Sequence, residues 1–430
     1  MLRAVLMACA IGAALAPAVA RGAPVLVSGA GADGDSHPVA VSADGRLVAF
    51  NSEAGNLSQE DPPPGGRYSH GPMTGYVRDV RTGALTLAGR QSDADGGAAA
   101  DDQVWITDMS ADGRFVVLTS YADNLSPADV DAPPGSPGAE LDHDVFLRDL
   151  ATGTTTLVGP GGQGGRVSDD GRVVAFTTVE ALVPADRDRA VDVYVTEPGS
   201  GGPVLASPRT SNRYGTNDAL GHALSGNGRY VTYTSRPWFR GDEERYAVTV
   251  RRYDLRRRRG TVVHRQQQWS NLSRVYETAV SADGRVVAFM AIWRYAPEDA
   301  FEDTPAGRKV GPVGVFRWRE ESRRARRISV SRCGEGLART TAGDIDLSAD
   351  GRRVAWVTLP VPPPSLRIDV VAGPIGRCGS VSLGRAADGP FGSTPALSAD
   401  GRWIAYASSE PALSDADGDE HADVFLDRLP

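Results

Sequence analysis

One pattern, Ser-x-Asp-Gly-Arg followed by an apolar run, is written seven times along this chain. The copies are Ser42–Phe50, Ser110–Leu118, Ser168–Phe176, Ser225–Tyr233 (with Asn227 for the aspartate), Ser281–Phe289, Ser348–Trp356 and Ser398–Tyr406. An Asp-Gly or Asn-Gly pair between two β-rich runs marks a tight hairpin. Glycine accepts a positive φ, and the short polar side chain bonds the local backbone. Seven hairpins spaced 50 to 68 residues apart define a repeat protein. The 50 Gly and 29 Pro in 430 residues lie above the usual level of about 12 % combined. With no long helical periodicity, that composition points to an all-β chain rich in turns.

Each period holds four β-runs. A short run enters the serine, and the hairpin leads to a second strand. A third run ends in an acidic turn, as in Gly75–Asp79, Asp144–Asp149, Asp192–Val195 and Val250–Asp254. A Thr-Gly turn then gives a fourth strand, as in Leu85–Ala88 and Thr155–Val158. Four antiparallel strands per unit, repeated radially, predict a propeller blade, which stacking protects on both faces. The chain opens on Val25–Ser28, a fourth strand with no blade before it, and closes on Val424–Asp427, a third strand with none after it. The expectation is an all-β, seven-bladed β-propeller of four-stranded blades, closed by the N-terminal strand pairing into the last blade.

The Ser-x-Asp-Gly-Arg run, with Asp-Val-Phe and Thr-Gly behind it, resembles the TolB-like, WD40-like propeller repeats of bacterial exported proteins. The resemblance spans essentially the whole chain after residue 20. It implies the fold and a choice of roles: protein binding, substrate gating or catalysis.

Residues 1–20 read as a signal peptide: Arg3 is the positive start, Val5–Pro17 the apolar core and Ala18-Val19-Ala20 the cleavage site. Residues 21–430 form the propeller domain. This places the protein in a secreted or periplasmic, cell-envelope space. No later stretch is apolar enough to span a bilayer. A formal charge of −8 argues against nucleic acid as partner. Cys333 and Cys378 are either a disulfide or two thiols, and their spacing does not decide which.

The most complete set of carboxylates follows the last hairpin: Asp415, Asp417, Asp419 and Asp423. Alternating aspartates in a short loop can wrap a calcium ion, and the spacing resembles calcium cages of integrin-type blades. The competing reading is that they cap loop backbone before the third strand. Arginines flank the outer hairpins of the fourth and fifth units, at Arg251-Arg252, Arg256 to Arg259, Arg317, Arg319, Arg323, Arg324, Arg326 and Arg327. They form either an anion-binding rim or solvated turn surface. Of the histidines, His37 and His222 precede first strands and could approach the axis; no metal-binding spacing occurs. No Gly-x-Ser-x-Gly elbow appears, which argues against a peptidase. The Asp-Gly-Arg triplets, present in every unit, are expected to build the blade. Asn56 and Asn124, each opening an Asn-Leu-Ser sequon, share one register and are expected to shape loops. Trp238, Trp269, Trp293 and Trp318 either face a groove, where they could stack on sugar rings or anchor a partner, or pack between blades; core is the expected place.

The expected function is a monomeric, non-catalytic scaffold binding a protein or an anionic cell-envelope polymer. The alternative is a carbohydrate-active or metal-dependent enzyme using the central channel.

Overall fold

The computed structural model describes residues 23–59, 73–130, 143–187, 190–207, 217–237, 246–268, 277–292, 302–303, 309–310, 313–328, 339–359, 367–372, 395–409, 413 and 421–429. The signal-peptide reading, all three cysteines and Trp238, Trp269 and Trp293 lie outside these residues.

The serine of each repeat explains the hairpin. Ser42 is buried, and its hydroxyl donates to the Asp44 carboxylate at 2.7 Å while accepting the Leu47 amide at 2.8 Å. The same pair of bonds recurs at Ser110, Ser168, Ser225, Ser281, Ser348 and Ser398. In the first, second and fourth units the arginine of the triplet clamps the blade from outside. Arg46 Nε donates to Asp79 at the end of the third strand at 2.8 Å, and Arg114 and Arg229 do the same to Asp149 and Asp254. The Arg46 hydrogen bond holds the Asp79 carboxyl well below the usual carboxylate range, and Arg114 does so for Asp149. The triplets therefore build the blade, as the sequence leads one to expect.

Beyond the hairpin, the second strand is buried on both faces: Val48, Ala49 and Phe50 are all fully covered. Its aromatic residue stacks on its cross-strand partner from the third strand. The pairs are Phe50–Tyr76 (5.6 Å), Phe176–Tyr194 (6.2 Å), Phe289–Phe316 (5.7 Å) and Tyr406–Phe425 (6.0 Å). Trp318 is core, as expected.

Among the described residues six four-stranded antiparallel blades result. The first is Ser36–Val41, Leu47–Ser52, Thr74–Asp79 and Leu85–Leu87. The second to fifth follow from Val104, Gly162, Asn217 and Thr278. The last combines Ala396–Leu397, Trp403–Ser408 and Asp423–Arg428 with Val25–Leu26 from the opposite end of the chain. This corrects the expected seven: the Ser348 unit has three strands, Arg339–Leu347, Arg353–Leu359 and Arg367–Ala372. Residues 373–394, where a fourth would fall, lie outside the described ones.

Closure by the N-terminal strand is direct. Val25 pairs with Leu426 and Leu26 with Phe425, and the Val27 amide continues to the Val424 carbonyl at 2.7 Å. Ser28 adds a side-chain latch: its hydroxyl donates to the Asp423 carboxylate and accepts the Val424 amide at 3.0 Å. Both residues are buried. Ser28→Ala removes that donor from a buried carboxylate, a loss of about 1–3 kcal/mol. We expect a lower melting temperature in a thermal melt, and an unchanged one would show that the latch does not hold the ring.

Candidate functional site

The first strands line a central channel, a cavity of about 610 Å³. One register position decides its polarity. Two residues before the hairpin serine, the seven units place Ala40, Asp108, Arg166, Ala223, Ala279, Asp346 and Ala396. All seven side chains are alanine or are consumed by structure, as follows. The four alanines leave the wall smooth. Asp108 accepts the Met109 amide and, across the blade boundary, the Val167 amide, both at 2.8 Å. Asp346 repeats the arrangement, taking the Leu347 amide and the Leu397 amide of the last blade, both at 2.6 Å. Arg166 donates to the Thr107 carbonyl of the neighbouring blade. The channel charges thus staple one unit to the next.

Their electrostatics follow from enclosure. Burial pushes the Asp346 carboxyl up to about 6, against the two amide bonds that favour its charged form. Burial raises Asp108 also, with Arg166 pulling the other way. Asp169, one residue past its hairpin serine, is raised by burial and by Asp170 and Asp112.

At the other mouth an aromatic shelf stands on the second blade. Trp105 meets Tyr121 edge-on at 5.4 Å, and Tyr121 meets His143 at 5.7 Å. All three line the cavity. The Trp105 Nε1 and His143 Nδ1 atoms are buried and have no hydrogen-bond partner. Trp105, Asp108, Arg166 and Asp346 carried no signal in the sequence: only Asp108, Arg166 and Asp346 share a register two residues before the hairpin serine, and that register gains meaning only once the first strands surround one axis.

The residues singled out from sequence separate. His37 lines the channel, and burial lowers its pKa with Asp35 opposing. His222 does not line it: the ring packs between blades, 3.4 Å from the Ala175 carbonyl, and burial pushes its pKa down to about 3 with Arg166 adding. His264 stacks on Phe289 and Phe316. Asp423 begins the third strand of the last blade and accepts the Ser28 hydroxyl, while Asp415, Asp417 and Asp419 lie outside the described residues. Among the described residues no group of three or more His, Cys, Asp or Glu could hold a metal. Asn56 and Asn124 each bridge a preceding loop, Asn56 through Gly31 and Asp33 and Asn124 through Ala99 and Asp101, so their shared register is loop architecture.

The arginine clusters also divide. Arg252 and Arg317 are buried between blades, each donating to the hairpin glycine carbonyl of the next unit, Gly284 and Gly351. Arg252 lies over the Tyr230 and Trp318 rings at 4.6 and 4.9 Å. Arg256 to Arg259, Arg323, Arg324 and Arg326 are exposed.

No family model matches the sequence, and no curated protein matches it. Solved structures do. An oligogalacturonate lyase in complex with manganese is 12 % identical, with a TM-score of 0.54 over 96 % of this chain and 94 % of that one. The chain is a β-propeller. TolB from Acinetobacter baumannii is 12 % identical, with a TM-score of 0.41 over 85 % and 78 % of the two chains. The β-propeller domain of the Trilobed protease from Pyrococcus furiosus is 9 % identical, with a TM-score of 0.45 over 75 % and 82 %. At these identities the likeness is one of fold alone. No helix among the described residues is long and apolar enough to cross a membrane.

The channel makes a pH-dependent prediction. In the fold Asp346 keeps its proton up to about 6, whereas an unfolded aspartate releases it near about 3.9. Its contribution to stability is therefore greatest below the unfolded value and is lost as pH rises through about 6. His222, neutral in the fold down to about 3, acts oppositely, losing stability as pH falls below the unfolded value. The windows overlap, so the measurement is a difference. The melting temperature of Asp346→Asn minus that of wild type should rise between pH 5 and pH 7. A flat difference would remove Asp346 from the titration.

Proposed function

We propose that this chain is an exported β-propeller acting as a non-catalytic scaffold for a protein or an anionic cell-envelope polymer. The observation that carries the scaffold reading is the use made of the channel carboxylates. Each oxygen of Asp108 and Asp346 accepts a backbone amide, one from its own strand and one from the next blade. Groups so engaged hold the ring together, and a rigid ring presenting loops and rims is a binding platform.

A second reading has its own support. An enclosed carboxyl raised to about 6 in a channel that also holds an aromatic shelf with unused ring nitrogens suits an enzyme acting on a carbohydrate. One experiment separates the two. Purified protein is incubated with neutral and acidic oligosaccharides, and reducing ends are followed. The scaffold reading expects no product. Product formed by wild type and abolished in Asp346→Asn would overturn it.

A structural calcium ion held by Asp415, Asp417, Asp419 and Asp423 next to the N-terminal closing strand accompanies this proposal. Ser28 donates to one Asp423 carboxylate oxygen. With the ion bound, millimolar calcium should raise the melting temperature over that in chelator; identical melts would exclude the site.

A further inference from the structure

The turn between third and fourth strands is built alike in the first, second and fourth blades. Asp79, Asp149 and Asp254 each accept, through one carboxylate oxygen, the amides two and three residues on. The residue four positions on is left-handed. In the first two blades it is Gly83, at φ 76°, and Gly153, at φ 66°. In the fourth it is Arg258, at φ 49°, and at the equivalent place in the fifth it is Arg323, at φ 50°. Among the described residues these are the two non-glycine residues with positive φ. An L-residue with a Cβ is strained there, where glycine is free of strain. Both exceptions are arginine, and both fall in the same turn of adjacent blades.

The two turns share one rim. Arg252 of the fourth blade donates to Glu320, at the start of the fifth blade's turn, at 2.7 Å. Arg256, Arg257, Arg258, Arg259, Arg323, Arg324 and Arg326 are exposed around it. Among the described residues, only Arg257 of these arginines lies within ion-pair distance of a carboxylate, Asp254 at 3.9 Å, and Asp254 is already held by Arg229. A chain of net charge −8 has thus gathered more cations than the acidic residues of that edge, Glu320 and Glu321, can balance, at a cost in backbone strain.

We propose that this rim docks a phosphate- or carboxylate-bearing envelope polymer. The inference rests on the scaffold reading and names its surface and partner. Guanidinium groups match such anions bidentately. The cations lie on projecting turns of two blades, which suits a long chain laid across them better than a small anion in a pocket. A lipid surface is disfavoured because Val262 is the one large exposed apolar side chain described near this rim, and membrane docking adds apolar anchors.

The test uses the whole protein with long-chain inorganic polyphosphate as probe, followed by calorimetry at low and high salt. Wild type should bind, and the affinity should fall at least tenfold as salt rises. The variant Arg258→Gly/Arg323→Gly restores the glycine of the sister blades. It should melt at or above wild type yet bind at least fivefold more weakly. A second variant, Arg256→Gln/Arg259→Gln/Arg324→Gln/Arg326→Gln, should lose binding with its melt unchanged. No binding by wild type, unchanged affinity in both variants, or a lower melt in the glycine variant would each overturn the rim. Equal affinity for equimolar phosphatidylglycerol–phosphatidylcholine vesicles would overturn the polymer. If the rim variants still retain an envelope partner, this inference falls and the scaffold reading stands.

Discussion

The contact on which the ring depends is the seat of each hairpin glycine. A Cβ on Gly45 would lie 2.4 Å from the Trp403 ring, and one on Gly113 would lie 2.4 Å from Leu47. The same close approach sets Gly171 on Phe115, Gly228 on Val173, Gly284 on Tyr230, Gly351 on Val286 and Gly401 on Arg353. In every case the partner is the residue five beyond the serine of the preceding hairpin. Glycine is required twice at these sites, once for a positive φ and once because the neighbouring unit occupies the space a side chain would take. The contacts run from unit to unit and return from Trp403 to Gly45, so the local turn chemistry is also the inter-unit packing.

Polar staples reinforce the same boundaries, and different units use different ones. Asp108 and Asp346 cross from first strand to first strand near the axis. Arg252, Arg317 and Arg353 cross further out, each donating to a hairpin glycine carbonyl of the next unit. Between them these groups satisfy carbonyls and amides that would otherwise be buried at the boundaries without partners. A buried arginine is tolerable here because its guanidinium finds carbonyls, aromatic faces or Glu320, and because its charge is distributed over a plane.

Much of this was legible in the sequence because it is local. The hairpin, the Ser–Asp bond, the four-strand period and the unpaired strands at Val25 and Val424 are all decided within a few residues or by simple pairing. The expectation for the arginines was coarser than the outcome. A run such as Arg251 to Arg259 gives no sign of which side chain turns inward. That depends on strand register: Arg252 lies opposite Thr232 and Arg317 opposite Ala288, small or modest neighbours that leave room beneath the next blade. The channel charges escaped for another reason. A single aspartate two residues before a serine has no meaning until seven strands are brought around one axis.

The same stiffness explains why strain can persist at the rim. A left-handed arginine in a free turn would relax, or the turn would shift to an easier geometry. At Arg258 the turn is fixed from both sides. Asp254 holds the amides of Arg256 and Arg257, and the outer strands on either side pair in full register from Tyr253–Gly260 to Asp254–Arg259. At Arg323 the amide is tied back to the Arg319 carbonyl at 2.9 Å, at the end of a strand paired along its length with Val286–Ile292. The surroundings over-determine the backbone, so the side chain at that position can be chosen for its charge rather than its conformational ease. The rigid propeller is what allows its edge to depart from the rule its own repeats set.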